Sequence, residues 1–257
     1  MLPSGLAIND CLTVYRLPVL RDNYIFVLHD RVLQVSAVVD PAVAQPVIDL
    51  LTVLDAPLVA IFNTHHHHDH VGGNQELVAR YPATVVYGGS RDRGRIPYQQ
   101  QFLEHGDRVP FGSTSIEVLF LPGHTKAHIA YWLPTTGDLF CGDTLFGCGC
   151  GRIFDGTPTD FFHSLQRLRQ LPPETRVWCA HEYTEKNIRF ALTIEPDNPH
   201  LLDRLQKLQP PTIPTSIGLE KLTNPFLRWD ADAIQARLHQ TDPLKVFTKL
   251  RGMRDLY

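Results

Sequence analysis

The sequence predicts an α/β fold followed by a helical C-terminal region. Apolar runs of strand length alternate with helix-like segments as far as residue 181. Four of these runs contain or end at a histidine or an aspartate, and beyond residue 181 only helix-like segments remain. We therefore expect two domains, one over residues 1–181 that carries these polar strand ends, and a helical domain over residues 182–257.

Composition excludes several classes of protein. The 257 residues are 43% hydrophobic and 20% charged, which is typical of a globular chain with a sizeable core. The net charge of −3 and the lack of a long basic cluster argue against a nucleic-acid partner. No apolar run reaches the length of a membrane span, and residues 1–6 lack the features of a signal peptide. The five cysteines are an odd number and are interpreted as reduced, so we expect a cytoplasmic protein. We also expect a monomer.

Strands are predicted where short runs of β-branched and aromatic residues end at turn residues. They cover residues 12–20, 24–29, 32–40, 58–62, 84–87, 115–121, 127–133, 138–146 and 176–180. The first three are expected to be antiparallel, and the Arg-, Gly- and Pro-containing segment 88–101 to be irregular. Helices are predicted over residues 47–54, 75–80, 160–171, 185–194, 198–209, 230–239 and 243–254. Pro46 opens the first helix, and Thr159 is the expected cap of the third.

A histidine-rich segment directly follows the predicted buried strand 58–62. It reads Asn63-Thr64-His65-His66-His67-His68-Asp69-His70. Because alternate side chains of an extended backbone share a face, His65 and His67 can hold one metal ion. Asp69 and His70 come where the chain turns toward a helix, so they can reach a second ion. The alternative is a solvated polar loop, but such a loop would rarely place His-x-His-x-Asp-His after a buried strand.

Three later strands carry further potential ligands. His124 lies in a tight turn after the strand over 115–121, and His181 follows the last predicted strand. Asp143 lies among apolar residues, where a buried carboxylate needs a cation, a hydrogen-bond network or a proton. Ligands gathered from strand ends can build a rigid site on a sheet.

Two other features are assigned structural roles. His128 falls within a predicted strand. Cys148 and Cys150 form a Cys-x-Cys pair, but the sequence offers no second pair that would complete a closed zinc site. The glycines around them indicate a loop that passes close to other atoms.

The ordered set Thr64-His65-x-His67-x-Asp69-His70, His124, Asp143 and His181 resembles the metallo-β-lactamase superfamily of binuclear hydrolases. Its fold is a four-layer αβ/βα sandwich. Within it the chain is similar to the hydroxyacylglutathione hydrolases, or glyoxalase II family. This likeness includes Asp22-Asn23-Tyr24, Val39-Asp40-Pro41, Gly142-Asp143-Thr144, His181-Glu182-Tyr183-Thr184, Asn224-Pro225-Phe226 and the helical C-terminus. The resemblance implies that His65, His67 and His124 hold one metal, that Asp69, His70 and His181 hold the other, and that Asp143 bridges them.

The resemblance also implies residues that bind substrate. Arg152 stands where the family commonly has a lysine, and Phe154 stands where it has a tyrosine. Tyr183 matches a substrate-contacting tyrosine, while Arg251 and Arg254 match a basic pair near the family's C-terminus. The three-residue spacing places this pair on one side of a helix, although cations in a last turn also complement the helix dipole.

The implied activity is hydrolysis of the thioester S-D-lactoylglutathione, and of related S-2-hydroxyacylglutathiones, to D-lactate and glutathione. It would be the second step of methylglyoxal detoxification. The implied cofactors are two divalent ions per chain, zinc first, with iron or manganese also compatible. A hydroxide that bridges them would attack the thioester, because coordination lowers the pKa of water to about 7. Asp69 and Asp143 would serve in this catalytic centre.

Three alternatives make different predictions. A persulfide dioxygenase of the same superfamily would use one iron and consume oxygen, and it would not need the helical region or the basic C-terminal pair. A β-lactamase would need an export signal. A non-enzymatic protein stabilised by metals would have a closed coordination shell, whereas seven ligands for two ions leave positions open.

Overall fold

The computed structural model describes residues 5–257. The expectation that no signal peptide is present rests partly on residues 1–4, which lie outside the described residues. Contacts divide the chain into two compact units. Unit 1 consists of Met1–Phe120 and Ala127–Gly142, and unit 2 consists of Leu121–Lys126 and Asp143–Tyr257. The predicted domain boundary after residue 181 falls inside unit 2 and stays a prediction.

Unit 1 contains most of the strands. They are β1 (Gly5–Ala7), β2 (Leu12–Val19), β3 (Asn23–Asp30), β4 (Val35–Val39), β5 (Leu58–Phe62), β6 (Val85–Gly89), β7 (Gln101–Leu103), β8 (Arg108–Phe111), β9 (Thr114–Phe120), β10 (Ile129–Leu133) and β11 (Asp138–Gly142). The helices are α1 (Gln45–Leu54), α2 (His68–Val71) and α3 (Asn74–Arg80), with a 3₁₀ helix over Ser90–Asp92.

The first sheet of unit 1 runs in the order β1-β2-β3-β4-β5-β6-β7. Strands β2, β3 and β4 are antiparallel, as predicted, whereas β4, β5, β6 and β7 are parallel. Val39 pairs with Phe62, so the residues that follow β4 and β5 emerge at the same edge. This register brings Asp40 beside the start of the histidine segment. Apolar residues of α1, such as Val47 and Leu51, pack on this sheet and keep the edge rigid.

The second sheet of unit 1 contains the antiparallel strands β8, β9, β10 and β11. Tyr131 on β10 donates a hydrogen bond to the carbonyl oxygen of Asn63 at 2.8 Å, which fixes the first residue of the histidine segment. The single strand predicted over residues 138–146 is wrong, because β11 ends at Gly142. Gly142 has a φ of +47°, a left-handed conformation that favours glycine and turns the chain before Asp143.

Unit 2 begins with short strands and continues with helices. Its strands are β12 (Leu145–Phe146), β13 (Gly149–Cys150), β14 (Arg176–Cys179) and β15 (Thr215–Ser216). Its helices are α4 (Pro158–Arg169), α5 (Thr184–Ile194), α6 (Pro199–Gln206), α7 (Ile217–Thr223), α8 (Asp232–Leu238) and α9 (Pro243–Leu256), with a 3₁₀ helix over Pro225–Leu227. Aromatic contacts join α4 and α9 in its core, including Phe161 against Phe247 at 5.8 Å between ring centroids.

Two sequence predictions in unit 2 are wrong. The cap of α4 is Thr157, whose hydroxyl accepts from the amide of Asp160, because Pro158 already occupies the first turn. A strand does exist after residue 181, since β15 pairs with β14. Helix α7 was also missed. Within residues 5–257, no helix is both long enough and apolar enough to cross a bilayer.

Candidate metal centre

The histidine segment starts as extended backbone and then becomes helical. His67 has φ −61° and ψ 145°, and α2 begins at the next residue. His65 Nε2 lies 3.0 Å from His67 Nδ1, so these two imidazoles converge as the alternation predicted. His66 points elsewhere, with its Nδ1 3.0 Å from the buried carboxylate of Asp92. His68 is the first residue of α2.

Asp40 orients two of the imidazoles. Its Oδ2 accepts from His70 Nδ1 at 3.0 Å and from the hydroxyl of Thr64 at 2.7 Å. Because that hydroxyl proton is given to Asp40, the Thr64 oxygen accepts from His65 Nδ1, which lies 3.0 Å away. Both rings therefore carry their proton on Nδ1, so Nε2 is the atom that could bind a metal ion. Histidine ligands of metals usually donate their other ring N–H to an oxygen acceptor in this way.

Asp69 lies beside His70 on α2. Its Oδ2 is 3.8 Å from His70 Nε2. Asn23 donates from its side-chain amide to the same carboxylate oxygen at 3.0 Å and to the Asp69 carbonyl at 3.3 Å. Asn23 therefore fixes the carboxylate as well as the backbone of this residue.

In unit 2, Asp143 directs one carboxylate oxygen toward each of two imidazoles. Its Oδ2 lies 3.4 Å from His124 Nε2, and its Oδ1 lies 3.4 Å from His181 Nε2. The other nitrogen of His124, Nδ1, donates to the carbonyl oxygen of Arg152 at 2.8 Å, which again leaves Nε2 as the ligand atom. All three side chains are buried.

Three groups of side chains offer ligand atoms that all lie within 4.8 Å of one another. They are His65, His67 and His124; His65, His70 and Asp143; and Asp69, His70 and His181. The first and third have the same members as the two sets that the resemblance implies. Imidazole nitrogens and carboxylate oxygens at this spacing are suited to divalent zinc, iron or manganese. The donor set therefore fits metal ions.

Sequence reasoning missed the residues that support these ligands. Asp40, Thr64 and Asn23 were noticed as parts of motifs but were given no role. A buried acid at the end of a strand, as at Asp40, was the available signal. No local pattern could have indicated the backbone carbonyl of Arg152.

His128 and the two cysteines are consistent with structural roles. The His128 ring is buried and stacks on His65, with 4.8 Å between centroids. Burial raises the pKa of the Cys148 thiol well above its ordinary value and raises the pKa of Cys150 to about 11. Cys148 also donates its thiol proton to the carbonyl of Thr223. Both thiols stay protonated at neutral pH, so they are poor metal ligands.

The predicted substrate-binding residues differ in their surroundings. The Arg152 side chain is 62% exposed and has its Nε 3.5 Å from the carboxylate of Asp255. Tyr183 is half-buried, and its ring stacks on His181 at 4.9 Å. Arg251 is buried and donates to backbone carbonyls, whereas the half-buried Arg254 donates to the Asn187 side chain.

Comparison with known proteins gives matches over almost the whole chain. The family model described as "Hydroxyacylglutathione hydrolase C-terminus" matches residues 182–257, and that of the "Metallo-beta-lactamase superfamily" matches residues 34–181. A hydroxyacylglutathione hydrolase of Cyanothece sp. is 59% identical, with 94% of this chain and 98% of the relative covered. One of Thermosynechococcus vestitus is 60% identical, with 95% and 99% covered.

Solved structures give the same fold at lower identity. ETHE1 from Myxococcus xanthus has a TM-score of 0.66 and 25% identity, with 95% of this chain and 98% of that chain covered. TTHA1623, solved in a di-iron-bound form, has a TM-score of 0.56 and 28% identity, with 88% and 100% covered. The BLEG-1 B3 metallo-beta-lactamase, at 22% identity and a TM-score of 0.64, supports the fold alone, with 84% and 99% covered.

Proposed function

Because this chain belongs to the hydroxyacylglutathione hydrolase family and has the metallo-β-lactamase fold, as predicted, we propose that it hydrolyses S-D-lactoylglutathione and related S-2-hydroxyacylglutathiones. The products are the 2-hydroxy acid and glutathione. The observation that carries this function is the pair of matches that together span residues 34–257, with full-length relatives near 60% identity. The persulfide dioxygenase alternative has no comparable support.

The proposed metal sites follow the three side-chain groups. One ion would be held by His65, His67 and His124, and the other by Asp69, His70 and His181, while Asp143 would be the bridging ligand. The two Asp143 carboxylate oxygens face different imidazoles at 3.4 Å each, which supports a bridging role. Zinc is the first candidate, and the di-iron form of TTHA1623 supports iron as a second. Divalent ions in such a site supply a water whose pKa is lowered to about 7 and a Lewis acid for the carbonyl.

The protein's own groups provide charge balance and orientation. Asp69 and Asp143 offset part of the cationic charge, so the centre remains attractive to an anionic tetrahedral intermediate. Asp40 and the Arg152 carbonyl keep the protons of His70 and His124 on Nδ1. Glutathione leaves as a thiolate, and its conjugate thiol has a pKa of about 8.5, so its departure does not require a strong general acid.

The glutathione moiety is bound by residues 182–257 together with Arg152, in this proposal. Residues 1–181 form the hydrolase domain, and residues 182–257 form the helical substrate-binding domain. Arg152 and Tyr183 are the favoured contacts, because the first is exposed and the second lies against the ligand His181. Substrate contacts by Arg251 and Arg254 remain predictions.

The physiological setting is also proposed. Methylglyoxal detoxification is the pathway that the substrate implies, and the enzyme is placed in the cytoplasm as a monomer without nucleic-acid or membrane partners. None of the five cysteines, all of which lie within residues 5–257, forms a disulfide, which supports a reducing compartment.

The test is thioester hydrolysis by protein reconstituted with zinc or iron, with metal stoichiometry measured on the same sample. We expect two ions per chain and loss of thioester absorbance with S-D-lactoylglutathione. Asp143→Ala should release metal and abolish turnover, whereas Asp203→Ala, which removes an exposed carboxylate paired with Lys207, should leave both unchanged. Turnover retained in Asp143→Ala would contradict the bridging role. One iron per chain with oxygen consumption on a persulfide substrate would instead favour the dioxygenase.

A further inference from the structure

A glycine-rich loop, Gly147-Cys148-Gly149-Cys150-Gly151, passes directly behind two of the proposed ligands. We call residues 147–151 the glycine loop. A Cβ atom on Gly151 would overlap the carbonyl oxygen of Asp143 and lie 3.0 Å from His124 Nδ1, so the loop backbone is in close contact with both residues. The next residue supplies the carbonyl oxygen that accepts from His124 Nδ1 at 2.8 Å. The position of the loop therefore determines the acceptor of this imidazole.

Side chains from the C-terminal helices hold the backbone of this loop. Asn187 on α5 donates to the carbonyl of Gly147 at 2.9 Å. Asn224, directly after α7, donates to the carbonyl of Gly149 at 2.9 Å. Glycine is required here, because a Cβ on Gly149 would overlap the Asn187 side chain. The loop is thus fixed by specific polar contacts.

Glu220 on α7 is the centre of this arrangement. Its side chain is fully buried. One carboxylate oxygen accepts from the backbone amide of Cys148 at 2.7 Å and from Asn224 at 3.0 Å. The other accepts from Arg204 and from the hydroxyl of Thr215, each at 2.7 Å. Four donors satisfy the buried charge, so the carboxylate is rigid and fixes the loop amide.

Arg251 on α9 holds the other end of the loop. Its Nη1 donates to the carbonyls of Cys150 at 2.9 Å and Gly151 at 3.2 Å, and its Nη2 pairs with Asp255 at 3.0 Å. The guanidinium also lies 5.3 Å from the centroid of the Phe226 ring. The Arg251 guanidinium therefore already binds the backbone immediately before Arg152.

We propose that Glu220 and Arg251 are positioning residues that, by fixing the glycine loop, hold the Arg152 carbonyl against His124 Nδ1 and so keep His124 oriented as a metal ligand. The proposal rests on the proposed function, because it takes His124 as a ligand. If the loop shifts, the imidazole loses its acceptor and can rotate or carry its proton on Nε2. The C-terminal helices thereby stabilise the metal centre in addition to any contact with substrate.

The first experiment compares Glu220→Gln with Glu195→Gln. Glu195 is the matched control, because its buried carboxylate also accepts from an arginine, Arg228 at 2.7 and 3.1 Å, instead of from the glycine loop. The readouts are the chelator concentration that removes half of the metal and the melting temperature of the metal-free protein. We expect Glu220→Gln to release metal at a chelator concentration lower by about tenfold or more. Glu195→Gln should match the parent in metal release even where both variants melt earlier.

Equal metal retention in the two variants would overturn the proposal. Where Glu220→Gln fails to fold, Arg251→Ala and Arg251→Lys provide an independent test. The positioning role predicts that Arg251→Ala lowers kcat and weakens metal retention about tenfold, whether or not KM also rises, and that lysine restores part of the metal retention. A raised KM with unchanged metal retention would instead assign Arg251 to substrate binding and overturn the positioning role.

These outcomes separate the two proposals. A parent protein that binds two metals without hydrolysing the thioester would refute the proposed function, while the metal-retention comparison would still decide the role of Glu220. A parent that binds no metal would overturn both proposals.

Discussion

Substitution of Asp40 by asparagine isolates the contribution of a carboxylate that contacts the proposed ligands without being one. Asp40 has a φ of +48°, a left-handed conformation that asparagine also tolerates, so the backbone remains unstrained. The asparagine oxygen can still accept from the Thr64 amide, which now donates to Asp40 Oδ1 at 2.8 Å. Its amide nitrogen would then replace Oδ2 and face two groups that donate at present, His70 Nδ1 and the Thr64 hydroxyl.

This reversal changes the protonation of both imidazoles. His70 can accept from the new amide only by moving its proton to Nε2. The Thr64 hydroxyl would rotate to accept from the amide and donate to His65 Nδ1, which also moves the His65 proton to Nε2. Loss of the hydrogen-bond acceptor of a metal-bound imidazole lowers metal affinity by about 10–100-fold. Because two ligands depend on Asp40, we expect the upper end, about 100-fold or about 2.7 kcal/mol.

The measurement is a competition titration against a chromophoric chelator, with long-range proton–nitrogen NMR of the imidazoles in the metal-free protein. Asp49→Asn is the control, because Asp49 is an exposed carboxylate that accepts from Gln45 at 2.7 Å on α1. It should change stability by less than about 0.5 kcal/mol and leave metal affinity unchanged. Metal affinity within about twofold of the parent in Asp40→Asn, with Nδ1 still protonated in both imidazoles, would refute the reasoning.

Three further predictions concern stability and thiol chemistry. Burial raises the pKa of Asp30, but hydrogen bonds from backbone amides and a serine hydroxyl outweigh it, so the pKa lies below the ordinary 3.8. The ionised Asp30 therefore stabilises the protein above about pH 4, and this stabilisation is lost on acidification. We expect Asp30→Asn to have a lower melting temperature than the parent at pH 7. A difference in melting temperature that did not narrow below pH 4 would contradict this prediction. In the native protein, a thiol reagent at pH 7.5 should modify the half-exposed Cys11 before Cys148 and Cys150, because burial raises the pKa of the latter two thiols. Equal rates of modification would contradict their burial. Gly142→Ala should destabilise the protein by about 1–3 kcal/mol in denaturant titrations, because φ is +47° and the new methyl group would overlap a hydroxyl; an unchanged midpoint would count against the strained turn.

Hydrophobic periodicity, together with the turn residues that bound each segment, was sufficient to predict most of the strands and helices. The strand over Leu58–Phe62 was predicted at its observed bounds, because a buried strand is a continuous apolar run that ends where polar residues begin. Except for α7, the helices of unit 2 were predicted, because prolines separate helix-like segments, as Pro172 does after α4. Histidine alternation likewise predicted that His65 and His67 converge.

The missed elements are short or depend on distant contacts. Strand β15 has two residues, Thr215 and Ser216, and exists because it pairs with β14, so its own sequence has no period to detect. Helix α7 has seven residues, too few for a clear amphipathic pattern, and its buried Glu220 looks like a surface residue in sequence. The break at Gly142 was hidden because apolar residues occur on both sides of the short polar segment 142–144, at residues 139–141 and at Leu145–Phe146.

The ligands and their supporting groups differ in how sequence encodes them. Four of the seven proposed metal ligands, His65, His67, Asp69 and His70, come from one compact motif, because neighbouring residues at one strand end lie close together. A proton on Nδ1, by contrast, requires an oxygen acceptor beside that nitrogen, and for His70 and His124 the acceptor comes from a distant part of the chain. Asp40 is 30 residues from His70, and the Arg152 carbonyl is 28 residues from His124. A backbone carbonyl has no side-chain identity, so it can be placed only by the residues that hold its loop. The chemistry of His124 therefore depends on Glu220 and Arg251, whose own positions in sequence give no indication of a metal.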